Sequence, residues 1–132
     1  PYRMMNKISY ALNRQKKPLN GSTILFLGVA YKPDIDDSRE SPALLVMEQV
    51  AKKGAKVIYH DPYIPDVVDD NGHHYKGVEL TDELISSVDC VVFTTNHSCF
   101  DIDNIVSKAK LVVDLRNAVK QVHIENDKVF KL

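Results

Sequence analysis

Cysteine is scarce: the 132 residues hold two, Cys90 and Cys99. Two are too few for a disulfide scaffold or a zinc site, and neither stands in a C-x-x-C motif. Cys90 opens the apolar run Cys90-Val-Val-Phe93, where a buried, inert thiol is expected. Cys99 lies in a loop, with nothing beside it in sequence to activate a thiolate. Two ordinary cysteines suit a reducing cytoplasm. Long apolar runs are missing as well. No stretch of about 18 apolar residues occurs, so no transmembrane helix is predicted, and no signal peptide is visible. Charge of one sign is not in excess, with Lys+Arg 17 against Asp+Glu 18 and a formal net charge of -1. That balance disfavours nucleic acid or an anionic membrane as the main partner, but it leaves room for a local basic pocket that takes a phosphorylated ligand. The first residue is Pro1, not Met, which predicts a piece of something longer.

What is present reads as one α/β domain with a real core: hydrophobic residues make up 44% and charged residues 27%, both ordinary for a globular chain. Tyr2 to Arg14 has apolar residues Met5, Ile8 and Leu12 at helical spacing. A helix this short is marginal alone, so it either packs on the domain or ends a longer helix. Gln15 to Gly21 is a breaker-rich linker. A buried strand is predicted over about Thr23 to Val29 and a helix from Pro42 to about Lys53, with Ser41 as N-cap and Gly54 as the stop. A strand over about Lys56 to Tyr59 completes a β-α-β unit with parallel pairing. Pro62 to Gly77 reads as irregular, with a short strand near Val78 to Leu80. Thr81 caps a helix to Ser87. Cys90 to Thr94 is a strand, Asp103 to Lys108 a helix, Leu111 to Asp114 a strand and Val129 to Lys131 an edge strand. This alternation predicts a Rossmann-like, doubly wound, mostly parallel sheet in a three-layer sandwich.

Ligands bind such sheets beyond the carboxyl ends of the strands. The turn there is Gly28-Val29-Ala30-Tyr31-Lys32-Pro33. A dinucleotide fingerprint, G-x-G-x-x-G, would need glycine where Ala30 and Pro33 stand, so a standard NAD pyrophosphate site is not expected. Lys32 sits where a phosphate would lie and is either a ligand contact or a solvated lysine. Tyr31 beside it can stack on a base or sugar. Asp34, Asp36 and Asp37 lack the spacing of a calcium loop and read as an acidic approach to a helix N-terminus, so no metal is expected. Arg39 and Glu40 pin the loop through ion pairs. Arg116, after a later strand, emerges on the same sheet edge; its fork binds phosphate or carboxylate or makes a salt bridge, for instance with Asp114. His97 ends a strand and either reaches the crevice or bonds backbone. His73 and His74 have no third ligand at useful spacing, and no Ser-His-Asp arrangement is recognisable.

Four segments together resemble the UDP-glucose/GDP-mannose dehydrogenase family, in its C-terminal UDP-sugar-binding domain. They are ILFLGVAYKPDIDDSRESPA (Ile24 to Ala43), GAKVIYHDP (Gly54 to Pro62), TTNH (Thr94 to His97) and VVDLRNA (Val112 to Ala118). The run G-x-A-[FY]-K-x-x-x-x-D-x-R-x-S is long and specific. VDLRNA and Ser41-Pro42-Ala43 look nearer to bacterial UDP-N-acetylhexosamine 6-dehydrogenases. The resemblance implies an NAD-dependent oxidation of the sugar C6 alcohol to a carboxylate in two hydride transfers. It also implies an NAD domain, a dimerising central domain with a catalytic cysteine that forms covalent intermediates, and this domain. Neither cysteine here matches that nucleophile, so no catalytic residue is expected in this chain and it should be inactive alone. Residues 1-20 would then be the end of a central-domain helix and a linker, and 21-132 the nucleotide-sugar domain. Tyr31, Lys32 and Arg116 match substrate-binding positions; Asp37, Arg39, Glu40 and Ser41 match the loop-shaping signature. NAD would be bound by a domain absent from this chain. The partners implied are a UDP-sugar and the NAD-binding and central domains, in a homo-oligomeric parent; the fragment itself would be a monomer or weak dimer. The competing expectation is a non-catalytic Rossmann-like assembly or regulatory module.

Overall fold

A computed structural model describes residues 2–39, 41–119 and 128–132. Glu40, one of the expected loop-shaping residues, lies outside the described residues. The chain runs α1 (Tyr2–Arg14), β1 (Thr23–Leu27), α2 (Pro42–Lys52), β2 (Lys56–His60), β3 (Asp66–Val68), β4 (His74–Lys76), α3 (Asp82–Ser87), β5 (Cys90–Phe93), α4 (Ile102–Lys108), β6 (Val112–Asp114) and β7 (Val129–Lys131). Five strands form one sheet in the order β2-β1-β5-β6-β7, and every pairing in it is parallel. The chain winds outward from β1 in both directions, so the order reverses between β1 and β5. The expected three-layer, doubly wound sandwich is what the chain forms.

Burial explains which strands are central. A parallel strand covered on both faces reads as a continuous apolar run. Cys90, Val91, Val92 and Phe93 are all buried, as are Ile24 to Leu27. Their side chains alternate between faces. Ile24, Phe26, Cys90 and Val92 pack with α1 and α2, while Leu25, Leu27, Val91 and Phe93 pack with α3 and α4. Fully burying one such side chain contributes about 1.5–3 kcal/mol. That gain also holds α1, whose Ile8, Ala11 and Leu12 are buried against the first of these faces.

The helix starts follow the sequence. Ser41 accepts from the Ala43 amide with Pro42 at the first turn, and Thr81 accepts from Leu84. Asp101 caps α4, which therefore starts one residue before the expected Asp103. β1 stops at Leu27, not Val29, because Gly28 turns the chain at φ +92. A Cβ at Gly28 would lie 2.4 Å from the Thr95 Cβ. Glycine is required there for both conformation and space.

The segment expected to be irregular contains an antiparallel hairpin, β3 with β4. The Asp69 carboxylate accepts from the Asn71 and His73 amides, and Gly72 takes φ +82. This is ordinary turn chemistry, but three-residue strands are too short to show a period. No strand forms at Val78 to Leu80. Instead the Val78 amide donates to Tyr59 O at 2.9 Å, and the His60 ring bonds Val78 O. The segment thus lies along the outer edge of β2, which would otherwise be unpaired.

Candidate functional site

The carboxyl ends of β1, β2 and β5 meet at the reversal point, and one buried carboxylate organises them. Asp61, just past β2, is 6% exposed. Its Oδ2 accepts from the Val29 amide at 2.8 Å, the Ala30 amide at 3.2 Å and His97 Nε2 at 2.9 Å. Its Oδ1 accepts from the Tyr63 amide at 2.8 Å. Four donors compensate the burial of the charge. The other ring nitrogen of His97, Nδ1, accepts from the Asp34 amide at 2.8 Å. A neutral imidazole has one donor and one acceptor nitrogen, so this network assigns the proton to Nε2. His97 is fully buried. Both its nitrogens are committed, which removes it as a general base for the neighbouring Ser98.

The loop from β1 is then closed at several points. The Tyr31 amide donates to Asp37 O at 2.7 Å. The Asp34 carboxylate accepts from the Ser98 amide and hydroxyl at 2.8 and 2.9 Å, and the Thr95 hydroxyl donates to Ala30 O at 2.7 Å. Asp37 takes two side-chain bonds from Arg39 at 2.9 and 2.8 Å, and its Oδ1 also accepts the Arg39 amide. The Arg39 guanidinium and then its amide hold the Asp37 carboxyl down at about 2. The Ser98 amide and hydroxyl likewise lower Asp34. The three loop aspartates do not converge on one point. The one group of possible metal ligands among the described residues is Glu48, Asp69 and His73, in which none of the loop aspartates takes part. Internal partners already occupy it: Asp69 takes the His73 ring at 3.0 Å, and Glu48 takes the Asn71 side-chain Nδ2 at 2.6 Å and the Lys52 ammonium at 3.3 Å.

On the outer surface of the loop, Tyr31 and Lys32 are exposed, with Lys32 Nζ 5.9 Å from the centre of the Tyr31 ring. With Ile35, Asp37 and Arg39 they line an open depression of about 380 Å³. Arg116 is exposed beyond β6 and does not line this depression. It stands on the same sheet edge, two strands from β1, or roughly 9–10 Å at ordinary strand spacing. The Thr94–His97 turn lies between them. Asp114 does not pair with the Arg116 side chain. It accepts the amides of Arg116, Ala118 and Val119 and lies 3.6 Å from Lys131 Nζ. The turn bearing Arg116 is thus built like the turn bearing Lys32: a buried strand-end aspartate collects backbone amides.

Sequence reasoning missed Asp61, Ser98 and the capping role of Asp114. A signal existed for Asp61, since an acid at the end of the second strand reads a ribose hydroxyl in dinucleotide-binding units. Here that acid is turned inward. It takes the Val29 and Ala30 amides in the very turn that would face a pyrophosphate. The residues of the β1 turn therefore do not fit NAD. Cys90 is buried, and burial pushes its thiol up, whereas Cys99 is exposed. The edge can hold an anionic ligand carrying a flat group, using Tyr31, Lys32 and Arg116.

Fold and edge together define a Rossmann-like nucleotide-binding domain whose first turn is not a dinucleotide turn. Residues 25–121 match the model of the UDP-glucose/GDP-mannose dehydrogenase family, UDP binding domain, and the chain belongs to that family. It is 30% identical over 125 residues to a UDP-N-acetyl-D-mannosamine dehydrogenase of Methanococcus vannielii, covering 89% of this chain and 27% of the relative. To a UDP-glucose 6-dehydrogenase of Rhizobium meliloti it is 31% identical over 121 residues, covering 78% of this chain and 25% of the relative. The solved UDP-D-ManNAc dehydrogenase of Pyrococcus horikoshii superposes with a TM-score of 0.79 at 23% identity, over 99% of this chain and 30% of that one; this likeness bears on fold alone. The chain thus spans less than a third of the length of these relatives.

Proposed function

We propose that this chain is the nucleotide-sugar-binding domain of an NAD-dependent UDP-sugar 6-dehydrogenase and that it is inactive by itself. The observation that carries this is the pairing, at the sheet's reversal point, of a closed β1 turn with an exposed Tyr31-Lys32 pair. Lys32 and Arg116 hold the diphosphate and Tyr31 lies against the base or sugar. Asp37, Arg39 and Ser41 shape the loop and open α2. Residues 1-20 link the domain to a central domain outside this chain; NAD and the nucleophile belong to other parts of the enzyme. The substrate is a UDP-N-acetylhexosamine or UDP-glucose, in keeping with the names of the two relatives. The enzyme is a cytoplasmic homo-oligomer that supplies uronic acids for polysaccharide synthesis, and the isolated domain is a monomer or weak dimer.

Lys32→Ala in the complete enzyme tests this. A charge-assisted bond to phosphate contributes about 1.5–3 kcal/mol, so KM for the UDP-sugar should rise roughly 10- to 100-fold. Unchanged KM and kcat would remove Lys32 from the site.

A further inference from the structure

His97 touches no exposed surface, yet it joins the three segments that build the edge. Its Nε2 faces Asp61 from β2, its Nδ1 faces Asp34 in the β1 loop, and its own turn follows β5. The rings of Tyr63 and Phe100 pack on it at 4.9 and 5.5 Å between centres, and the His60 ring lies 6.3 Å from that of Phe100. The point it holds is strained. Asp34 takes φ +63, a left-handed conformation that a non-glycine residue keeps only when its surroundings hold it there. Asp34 is two residues past Lys32.

We infer that His97 is a positioning residue for substrate binding: the relay Asp61–His97–Asp34 sets the pose of the Tyr31-Lys32 loop, and only with Nδ1 unprotonated. This rests on the nucleotide site proposed above. Asp61 performs two tasks at once. It closes the root of the loop through Val29 and Ala30, and it fixes the tautomer that presents an acceptor to Asp34. A proton on Nδ1 would set two N–H donors face to face and release the Asp34 amide. The Asp34 carboxylate, 3.9 Å from Nδ1, could then turn to the imidazolium only by leaving Ser98. In either case the strained loop loses a tie beside Lys32.

Two substitutions separate the ends of the relay. In His97→Asn the amide oxygen stands close to the Nδ1 position and keeps an acceptor for Asp34. In His97→Gln the amide nitrogen stands close to Nε2 and keeps a donor for Asp61, but the Asp34 acceptor is lost. Amide exchange in the 132-residue chain is compared at Tyr31 and Asp34, with Val91 and Val92 of β5 as the reference for global stability. Exchange at Tyr31 and Asp34 should accelerate about tenfold in His97→Gln, and UDP should bind about tenfold more weakly, roughly the loss of one hydrogen bond. His97→Asn breaks the Asp61 bond but keeps the Asp34 acceptor, so on both readouts it should fall between the native chain and His97→Gln. Nitrogen shifts of the native His97 ring should report Nδ1 as unprotonated.

Equal behaviour of the two variants, or a native tautomer protonated at Nδ1, would overturn the relay. UDP that binds the native chain and His97→Gln alike would overturn its role in positioning while leaving the nucleotide site intact. Failure of UDP to bind the native chain would instead strike the nucleotide site, with the exchange data still deciding whether His97 holds the loop.

Discussion

Asp61→Asn is the sharpest probe of how the edge is built, because it changes charge and donor pattern at nearly constant volume. Three of the four bonds fall on Oδ2, from Val29, Ala30 and His97, and one falls on Oδ1, from Tyr63. An asparagine oriented with its oxygen at the Oδ2 position keeps three acceptor contacts. Its NH2 then faces the Tyr63 amide, and two donors oppose each other. Bonds to a charged group contribute about 1.5–3 kcal/mol and neutral ones about 0.5–1.5. Weakening three bonds by about 1 kcal/mol each and losing one of about 2 kcal/mol costs about 5 kcal/mol, offset by about 1–2 kcal/mol because a buried charge no longer has to be desolvated. A net loss of about 3–4 kcal/mol follows. For a chain of this size that lowers Tm by roughly 12–16 °C. Urea unfolding followed by circular dichroism measures it, with m unchanged if only the native state is affected. A loss below about 0.5 kcal/mol would refute the claim that Asp61 closes the β1 turn.

Other outcomes follow from the same contacts. Gly28→Ala places a Cβ 2.4 Å from the Thr95 Cβ at φ +92 and should destabilise by about 2–4 kcal/mol; Thr95→Ala should not rescue it, since alanine keeps the offending Cβ. Asp37 should titrate near 2 in the native chain and return toward 3.8 in Arg39→Ala, as followed by its carboxyl carbon resonance. The sign is that of a depressed carboxylate: whatever stability the Asp37–Arg39 pair adds is present above the unfolded value near 3.8 and is lost as pH falls through about 2.

Much of the fold was legible because its signals are local. A continuous apolar run marks a strand covered on both faces, and Ser41-Pro42 and Thr81 mark helix starts. The β3–β4 hairpin was not legible, because three-residue strands carry no period, although Asp69 to Gly72 held the turn signal. The exposed half of the site, Tyr31, Lys32 and Arg116, could be placed at strand ends from sequence. The buried half could not. Asp61 and His97 are 36 residues apart, and nothing in either neighbourhood states that one carboxylate collects amides from a loop 31 residues away. His97 was open to two readings, and the structure gives it the buried one, bonded to backbone. Arg116 was offered Asp114 as a salt-bridge partner, but Asp114 takes its backbone amide instead.

Titration of UDP and of NAD against the 132-residue chain, followed by amide resonances and by heat, tests the central claim most directly. The account predicts that UDP binds and shifts the amides around Tyr31, Lys32 and Arg116, that Lys32→Ala weakens it roughly 10-fold or more, and that NAD leaves the β1 turn unmoved. Binding of NAD without UDP, or UDP shifts confined to residues away from this edge, would contradict it.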